Sequence, residues 1–465
     1  MKPQSQSSDR SATSLGLPLG MPSTGFALLG SYVLLAFATF FGSGTYTPLA
    51  LVLALLSFAS LASGLTLAWS RSRFDRKAPH GAFFAAALVA FLLVSSSVSP
   101  VYYLHQCLYG LAFRIWVVVY GVLVAAVYLF GPRRWVRARR AVFLAGVAAA
   151  FAFRIWLPIA SPAPWIDVFP VFQESSQHLL EGKNPYTTPV SDVYQGKVNF
   201  GYTLRGYDYL PANLYLLAPV WAVTGDIRYG YVLAEAGIIA ILWRLARRRC
   251  ERSVAELLPL LLLYHPRGLF VIEQAWAESL ILFFFAVWLL LYQRGNRAWA
   301  STAYGYMLGL KAYLFFFLFQ WLFVERNWRY LLLGIIVAVM TVLPFLLLDW
   351  RSFVAEGVLR TLQSGFRADS LTIFGFLAPV LGIEPPKLWS VGVGAVLALM
   401  LVLPLRKMPP LRGYLFATTT TTFGMFLFGS QAFCNYYWFV SGMILFLLAS
   451  GGGDDPAWAS PLVSN

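Results

Sequence analysis

The chain has 465 residues, 59% of them hydrophobic and only 12% charged, with a formal net charge of +15. Ordinary soluble domains carry about 25% charged residues, so a water-soluble fold would leave much of this chain's surface without polar cover. Apolar runs of about 20 residues recur throughout, the signature of transmembrane helices. This pattern excludes a disulfide scaffold, a disordered chain and a β-barrel, whose strands read as short alternating segments. The expected fold class is an all-α polytopic membrane protein. Its positive charge lies in short clusters between apolar runs, as the positive-inside rule requires, so the charge speaks for a lipid bilayer and not for nucleic acid. Cys107, Cys250 and Cys434 are scattered and read as small apolar fillers.

Taken in chain order, residues 1–25 read as a cytoplasmic tail, followed by spans at 26–41, 48–69, 81–98, 108–130 and 141–157. The turn after the second span carries Arg71, Arg73, Arg76 and Lys77; the turn after the fourth carries Arg133, Arg134, Arg137, Arg139 and Arg140. Both are cytoplasmic by their charge, so the fifth span exits on the far side and the polar loop 158–209 is extracytoplasmic. The apolar stretch 210–223 is only about 14 residues, short for a span. Read as a re-entrant or interfacial helix, it leaves Arg244, Arg247, Arg248, Arg249 and Arg252 cytoplasmic after a span at 229–245.

Spans at 255–272 and 276–292 lead to a cytoplasmic turn with Arg294 and Arg297. Segment 298–324 is interrupted by Gly305, Gly309 and Lys311 and ends near Arg326 and Arg329, so it reads as a hairpin of half-helices entering and leaving on one side. Spans at 330–348, 388–405, 411–428 and 433–448 close the bundle, with Arg406, Lys407 and Arg412 inside and a second tail at 451–465. The total is about 12 full spans plus the hairpin, each sized to the bilayer. Residues 26–140 form an N-terminal four-helix extension and 141–450 the main membrane domain. Neither a tandem nor an inverted repeat is visible, so the commonest secondary-transporter design gets no support. The threonine run 418–422 reads as packing and hydrogen-bonding surface between helices.

The extracytoplasmic loop holds the densest polar chemistry. Asp167 is placed to cap a helix and Gly182 to stop it. At 100° per residue, Glu174 lies about 20° behind Asp167, His178 about 20° ahead and Glu181 about 40° behind, so all four share one face. Such a stripe can supply a general base, a general acid or metal ligands. It is equally the wet face of an interfacial helix with a capping aspartate. Asp208 and Asp226 read as loop-end or capping acids.

At these residues the chain resembles the GT-C glycosyltransferases that use a polyprenyl-phosphate sugar, and is most like the branch of polyprenol-phosphate-mannose-dependent α-mannosyltransferases. The likeness is carried by Asp167 after a membrane helix, the helix to Glu181, the Gly-x-x-Pro-Tyr turn from Gly182 to Tyr186, and Tyr209-Leu-Pro211 opening a short helix. Downstream, Glu273-Gln-Ala-Trp-Ala-Glu278 looks like the family's polar pair opening a helix, and the stretch from Gly305 to Lys311 like its glycine-rich helix ending in Lys. The likeness spans roughly 141–448 and leaves the first four spans without a counterpart or an assigned chemistry.

The resemblance implies a GT-C-like bundle that moves a hexose, most simply mannose, from a polyprenyl-phosphate sugar donor to a glycan, lipid or protein acceptor. It gives Asp167 the role of base in an inverting displacement, with Glu174 and His178 orienting the acceptor or tuning Asp167. Among substrate-binding residues it places Tyr209 and Glu278. No Asp-x-Asp pair occurs in the loop, so no metal ligand is assigned, although a divalent metal stays compatible with the family. A departing phosphate needs fixed cations. Arg360 and Arg367 are the first candidates, Arg351 and Arg228 further ones, and membrane-interface anchoring is the alternative for each. Lys311, inside an apolar hairpin, is costly unless it contacts phosphate or pairs with Glu273 or Glu278. His265 reads as interfacial; Asn435, Tyr436 and Tyr437 read as sugar-stacking or as an aromatic belt. A transporter or flippase of lipid-linked sugars is the competing function. The expected location is a cell membrane, a bacterial inner membrane first and the endoplasmic reticulum second.

Overall fold

The apolar runs fold into helices joined by short turns. The computed structural model describes residues 24–70, 80–132, 134–195, 206–363 and 365–450, and these contain no β-strand. The expected tails (save residues 24 and 25), the turn from Arg71 to Lys77, and Arg133 lie outside the described residues.

The first four spans are α1 (Thr24–Gly42), α2 (Pro48–Ser70), α3 (Gly81–Ser97) and α4 (Cys107–Val124), the last continued by a π-helical turn, Ala125–Leu129. After α5 (Val136–Ala160) come α6 (Val168–Leu180), α7 (Ala212–Thr224) and α8 (Arg228–Ala246). At about 1.5 Å per residue, α7 spans only about two thirds of the 30 Å hydrocarbon layer, which agrees with a helix that does not cross. The expected span 255–272 is instead two helices, α9 (Arg252–Leu263) and α10 (Gly268–Glu273). Pro266 explains the break: it lacks an N–H and drives His265 away from helical geometry.

Next, α11 (Glu278–Gln293) leads to the hairpin of α12 (Arg297–Leu308) and α13 (Phe315–Trp321), the latter preceded by a 3-10 turn at Ala312–Leu314. Arg297 meets Glu325 at 3.4 Å, so the two feet of the hairpin stand side by side. Gly305 does not interrupt α12. A Cβ there would sit 2.1 Å from the carbonyl oxygen of Gly334, so the glycine lets two helix backbones touch, a device typical of membrane bundles. The partner is α14 (Trp328–Ser352), which kinks at Asp349 and runs on through a π-helical turn, Phe353–Leu359, into α15 (Arg360–Gln363). A short α16 (Ile373–Leu381) was not expected. The span 388–405 divides at Leu401 into α17 (Lys387–Met400) and α18 (Val402–Lys407), before α19 (Pro410–Leu427) and α20 (Cys434–Ser450).

Among the described residues, seven segments are long and apolar enough to cross a membrane: α1, α2, α4 with its π turn, α5, α8, α14 with its continuation, and α17 with α18. Shorter apolar helices include α3, α11 and α20. Helix α20 is buried all round, from Tyr437 to Ala449, and packs on α1, α8, α9, α11 and α19. Leucines and valines on α4 and α14, such as Val122 and Leu347, face outward, where lipid tails receive them as readily as a core would. This is a multi-pass, all-α membrane protein.

The two ends of the bundle differ in charge. At one, Lys407 stands 5.0 Å from the Trp69 ring, Tyr128 donates to Glu256, Arg252 pairs with Glu256, and Arg249 donates to the Ser450 carbonyl. At the other, the Tyr46 N–H donates to the Asp369 carbonyl, His105 N–H to the Ala160 carbonyl, and the N–H groups of Tyr102 and Tyr103 to Glu273 at 2.8 Å each. The described basic turns around Arg249 and Lys407 therefore lie at one pole and the described part of loop 158–209 at the other. In a Cys107→Ser background, a cysteine at Lys183 is expected to react with a membrane-impermeant maleimide on intact cells, and one at Arg294 only after permeabilisation. Labelling in the opposite order would invert the topology.

Candidate functional site

At the loop pole a cavity of about 370 Å³ opens between the hairpin tip, the segment before α7, the end of α14's continuation, α17 and α20. Its polar lining comprises Asp208, Lys311, Arg360, Arg367, Lys387, Ser390 and Gln431; its aromatic lining includes Tyr209, Tyr313, Phe316 and Tyr436. A second, wider groove of about 580 Å³ between α4 and α5 is lined by alanine, isoleucine, valine, phenylalanine and tryptophan alone. It has no charged group to do chemistry with.

The elements around the cavity are held by backbone and glycine contacts. A Cβ on Gly309 would sit 2.4 Å from the Thr341 hydroxyl and 3.1 Å from Ala212, and Asn213 donates to the Leu310 carbonyl at 2.8 Å. The hairpin tip is thereby seated against α7 and α14. Lys311 follows directly, and its Nζ meets Glu278 Oε1 at 2.5 Å. It also lies 4.9 Å from the ring centroid of Tyr436, 5.6 Å from Tyr209 and 5.9 Å from Tyr313, close enough for cation–π attraction. Of the two partners open to Lys311 in the sequence, packing chose Glu278. Glu273 is occupied elsewhere, accepting from Tyr102 N–H, Tyr103 N–H and the Ser161 hydroxyl.

The turn from Gly182 to Tyr186 positions Asp208. Tyr207 N–H donates to the Pro185 carbonyl at 3.0 Å, Tyr186 Oη donates to the Tyr209 carbonyl at 2.8 Å, and Tyr207 Oη donates to the Leu210 carbonyl at 3.1 Å. Phe172 of α6 packs on Tyr209 at 4.7 Å. Asp208 is clamped between two tyrosines whose hydroxyls are both spent on backbone. Its own Oδ1 is buried and meets no hydrogen-bond partner among the described residues.

Three of the four lining cations have an acid of their own. Lys311 has Glu278, Arg360 has Glu356 one turn earlier, and Arg367 grips Asp369 at 2.8 and 2.7 Å. Lys387 is held instead by the neutral amide oxygen of Gln431. Among the described residues no carboxylate stands within ion-pair distance of Lys387, so its charge adds to the positive potential of the cavity.

Asp167 caps α6, its Oδ1 accepting from the Val168 N–H at 2.9 Å, and α6 ends at a Gly182 with φ +73. It does not line the cavity. Burial raises its pKa, while the Val168 N–H and the charge of Arg367 oppose the rise. The other members of the acidic stripe serve the loop. Glu174 accepts from the Ser191 N–H at 2.8 Å, and Glu181 pairs with Lys183 at 2.6 Å on the surface. His178 has a buried Nδ1 without a partner among the described residues and lies outside the cavity lining. None of the four lines the cavity, and α6 meets its wall through Phe172, which packs on Tyr209.

Arg228 also leaves the candidate set. It is fully buried, pairs with Asp226 at 2.6 Å, donates to the Ser161 carbonyl at 2.7 Å and stacks on Phe169. Its role is to fasten the end of α5 to the start of α8. Arg351 lies exposed over Trp350 as an interface anchor. Lys387 and Gln431, by contrast, were not legible as site residues. A signal existed for Lys387: a lysine opening a span on the pole where the positive-inside rule does not put one. Among the described residues, no three histidine, cysteine, aspartate or glutamate side chains gather as a metal-holding set.

No protein-family model, curated protein or solved structure matches the chain. What fold and site define is a class: a multi-pass α-helical membrane protein with a cation-rich, aromatic-walled cavity at one pole.

Two outcomes follow. Lys311→Met leaves Glu278 buried without its cation, which costs about 3–5 kcal/mol, whereas Lys311→Met with Glu278→Leu removes both charges and restores most of the loss; melting in detergent measures both. For Asp208, burial first and the Asp167 charge second push the pKa from the ordinary 3.8 up to about 7, against Arg360. A raised carboxyl disfavours the ionised fold, so its penalty is absent at low pH, grows between the two values and is full above the higher one. Asp208→Asn is therefore expected to melt above wild type at pH 8 and together with it at pH 3.

Proposed function

We propose that this protein is a membrane glycosyltransferase that moves a hexose, most simply mannose, from a polyprenyl-phosphate sugar to a glycan, lipid or protein acceptor at the loop pole. The observation that carries the reading is the cavity itself: Lys311, Arg360, Arg367 and Lys387 around one space, with Asp208 on its wall. Fixed cations in a partly dry site stabilise the charge that develops on a departing phosphate. The tyrosine and phenylalanine faces suit a sugar ring and an isoprenoid, and Phe315 and Leu362, both partly open to the bilayer side, continue the wall for an apolar tail. In this scheme the phosphate sits between Arg367 and Lys387, and the sugar points toward the loop carboxylates. One of these takes the acceptor's proton, a role the resemblance gives to Asp167. Glu174, which accepts from the Ser191 N–H, and His178 would orient the acceptor or tune Asp167, and Tyr209 walls the sugar side.

The reading is tested with membranes containing wild type, Arg367→Gln or Lys387→Gln, each supplied with polyprenyl-phosphate mannose, glucose or arabinose. Wild type is expected to transfer one of these sugars, and each variant to do so at least tenfold more slowly at equal abundance. Movement of the intact sugar lipid across the bilayer without transfer would instead establish the transporter reading.

A further inference from the structure

We infer that Asp208 is the group that takes the acceptor's proton, and that Asp167 is a positioning residue acting through it. The inference rests on the transferase reading. Asp208 lines the cavity and Asp167 does not. The buried Oδ1 of Asp208 has no donor among the described residues, and leaving a buried acceptor unmade is expensive. A ligand hydroxyl is the partner it lacks. Asp167 has already committed its Oδ1 to the Val168 N–H.

The step balances around this residue. The acceptor O–H bond breaks and its proton goes to the Asp208 carboxylate. The acceptor oxygen forms a bond to the anomeric carbon while the bond from that carbon to the phosphate oxygen breaks, and the phosphate keeps the electron pair. The phosphate thus gains one negative charge as Asp208 loses one, so the summed charge facing the lining cations is unchanged. An acid with its pKa near the working pH is suited to this exchange.

The groups that face Asp208 set when it can act. Burial and the Asp167 charge raise it to about 7, Glu356 adds to the rise, and Arg360 opposes it. Lys311 feels its charge from the hairpin tip. Tyr186, Tyr207 and Tyr436 are the further titratable groups around it.

The test is the pH profile of kcat/KM for sugar transfer by wild type, Asp208→Asn, Asp208→Glu and Asp167→Asn. Asparagine also caps helices, so the last variant keeps α6. Wild type is expected to show an ascending limb near pH 7. Asp208→Asn should lose 100-fold or more, a typical worth of general-base catalysis, with donor binding, read with a radiolabelled polyprenyl-phosphate sugar, within about threefold. Asp208→Glu should recover part of the loss. Asp167→Asn should lower kcat/KM far less than Asp208→Asn and move the limb to lower pH, because a charge that raises Asp208 is gone. A second readout needs no turnover: infrared titration of the purified protein should show a carboxyl band with a midpoint near 7 that Asp208→Asn removes. Wild-type-like transfer by Asp208→Asn, or loss of all transfer in Asp167→Asn with no band change in Asp208→Asn, overturns the assignment while the transferase reading stands. Absence of wild-type transfer from every donor overturns that reading, and this assignment with it.

Discussion

An ammonium buried at the tip of a hairpin cannot remain unpaired, and the pairing of Lys311 with Glu278 decides where the rest of the loop pole goes. Glu278 opens α11, where the first-turn amides already favour a negative charge. To reach it, the hairpin must rise to that level, and Gly305 and Gly309 let it do so by lying directly against Gly334, Thr341 and Ala212. The tip then meets Tyr436, Tyr209 and Tyr313, and the cavity is what remains between them. Replacing either glycine with a larger residue would act on the site from below, without touching any group that lines it.

The same pole is braced by the four helices that the sequence left without a role. Tyr46, between α1 and α2, donates its N–H to the carbonyl of Asp369, the residue whose carboxylate grips Arg367. Tyr102 and Tyr103, between α3 and α4, are anchored on Glu273, and Tyr32 of α1 donates to the Leu261 carbonyl deep in the bundle. Helices α1 to α4 share one core with α9, α19 and α20. Cations fixed in advance by their own acids need little rearrangement when an anion arrives, which is where such sites gain most of their effect.

Hydropathy and charge clusters made most helices and their two poles legible, because both are set by local chain composition. The cap at Asp167 and the stop at Gly182 were equally local. The division at Pro266 was readable from proline chemistry and from His265 and Arg267, which interrupt the apolar run at that point. The site was less legible. Lys311 announced itself by its apolar surroundings, yet only packing could choose Glu278 over Glu273. The helical wheel grouped Asp167, Glu174, His178 and Glu181 correctly on α6, but says nothing of which part of that face a distant element covers. Asp208 looked like a loop-end acid because what distinguishes it, a missing hydrogen-bond partner beside cations from α14's continuation and the hairpin, exists only in three dimensions.

Polar groups deeper in the bundle bear on transfer against transport. A path for a sugar lipid through the protein needs polar side chains with bonding capacity to spare along its depth. Several of those found below the cavity are paired with one another, while Ser301 Oγ, Gln320 Oε1, Thr420 Oγ1 and Ser441 Oγ are buried with no partner among the described residues. Arg154 pairs with Glu235 at 2.6 Å and also donates to the Ala150 and Leu263 carbonyls, while Ser279 donates to the same glutamate. Gln320 donates to Thr421, and Thr418 and Thr419 donate back to carbonyls of their own helix. Breaking a buried, hydrogen-bonded ion pair such as Arg154–Glu235 to admit a passing ligand costs several kcal/mol. At the loop pole Asp208 Oδ1 is left without a partner among the described residues, inside the cavity; under the transferase function proposed above, a sugar presented from that side of the membrane meets it without crossing.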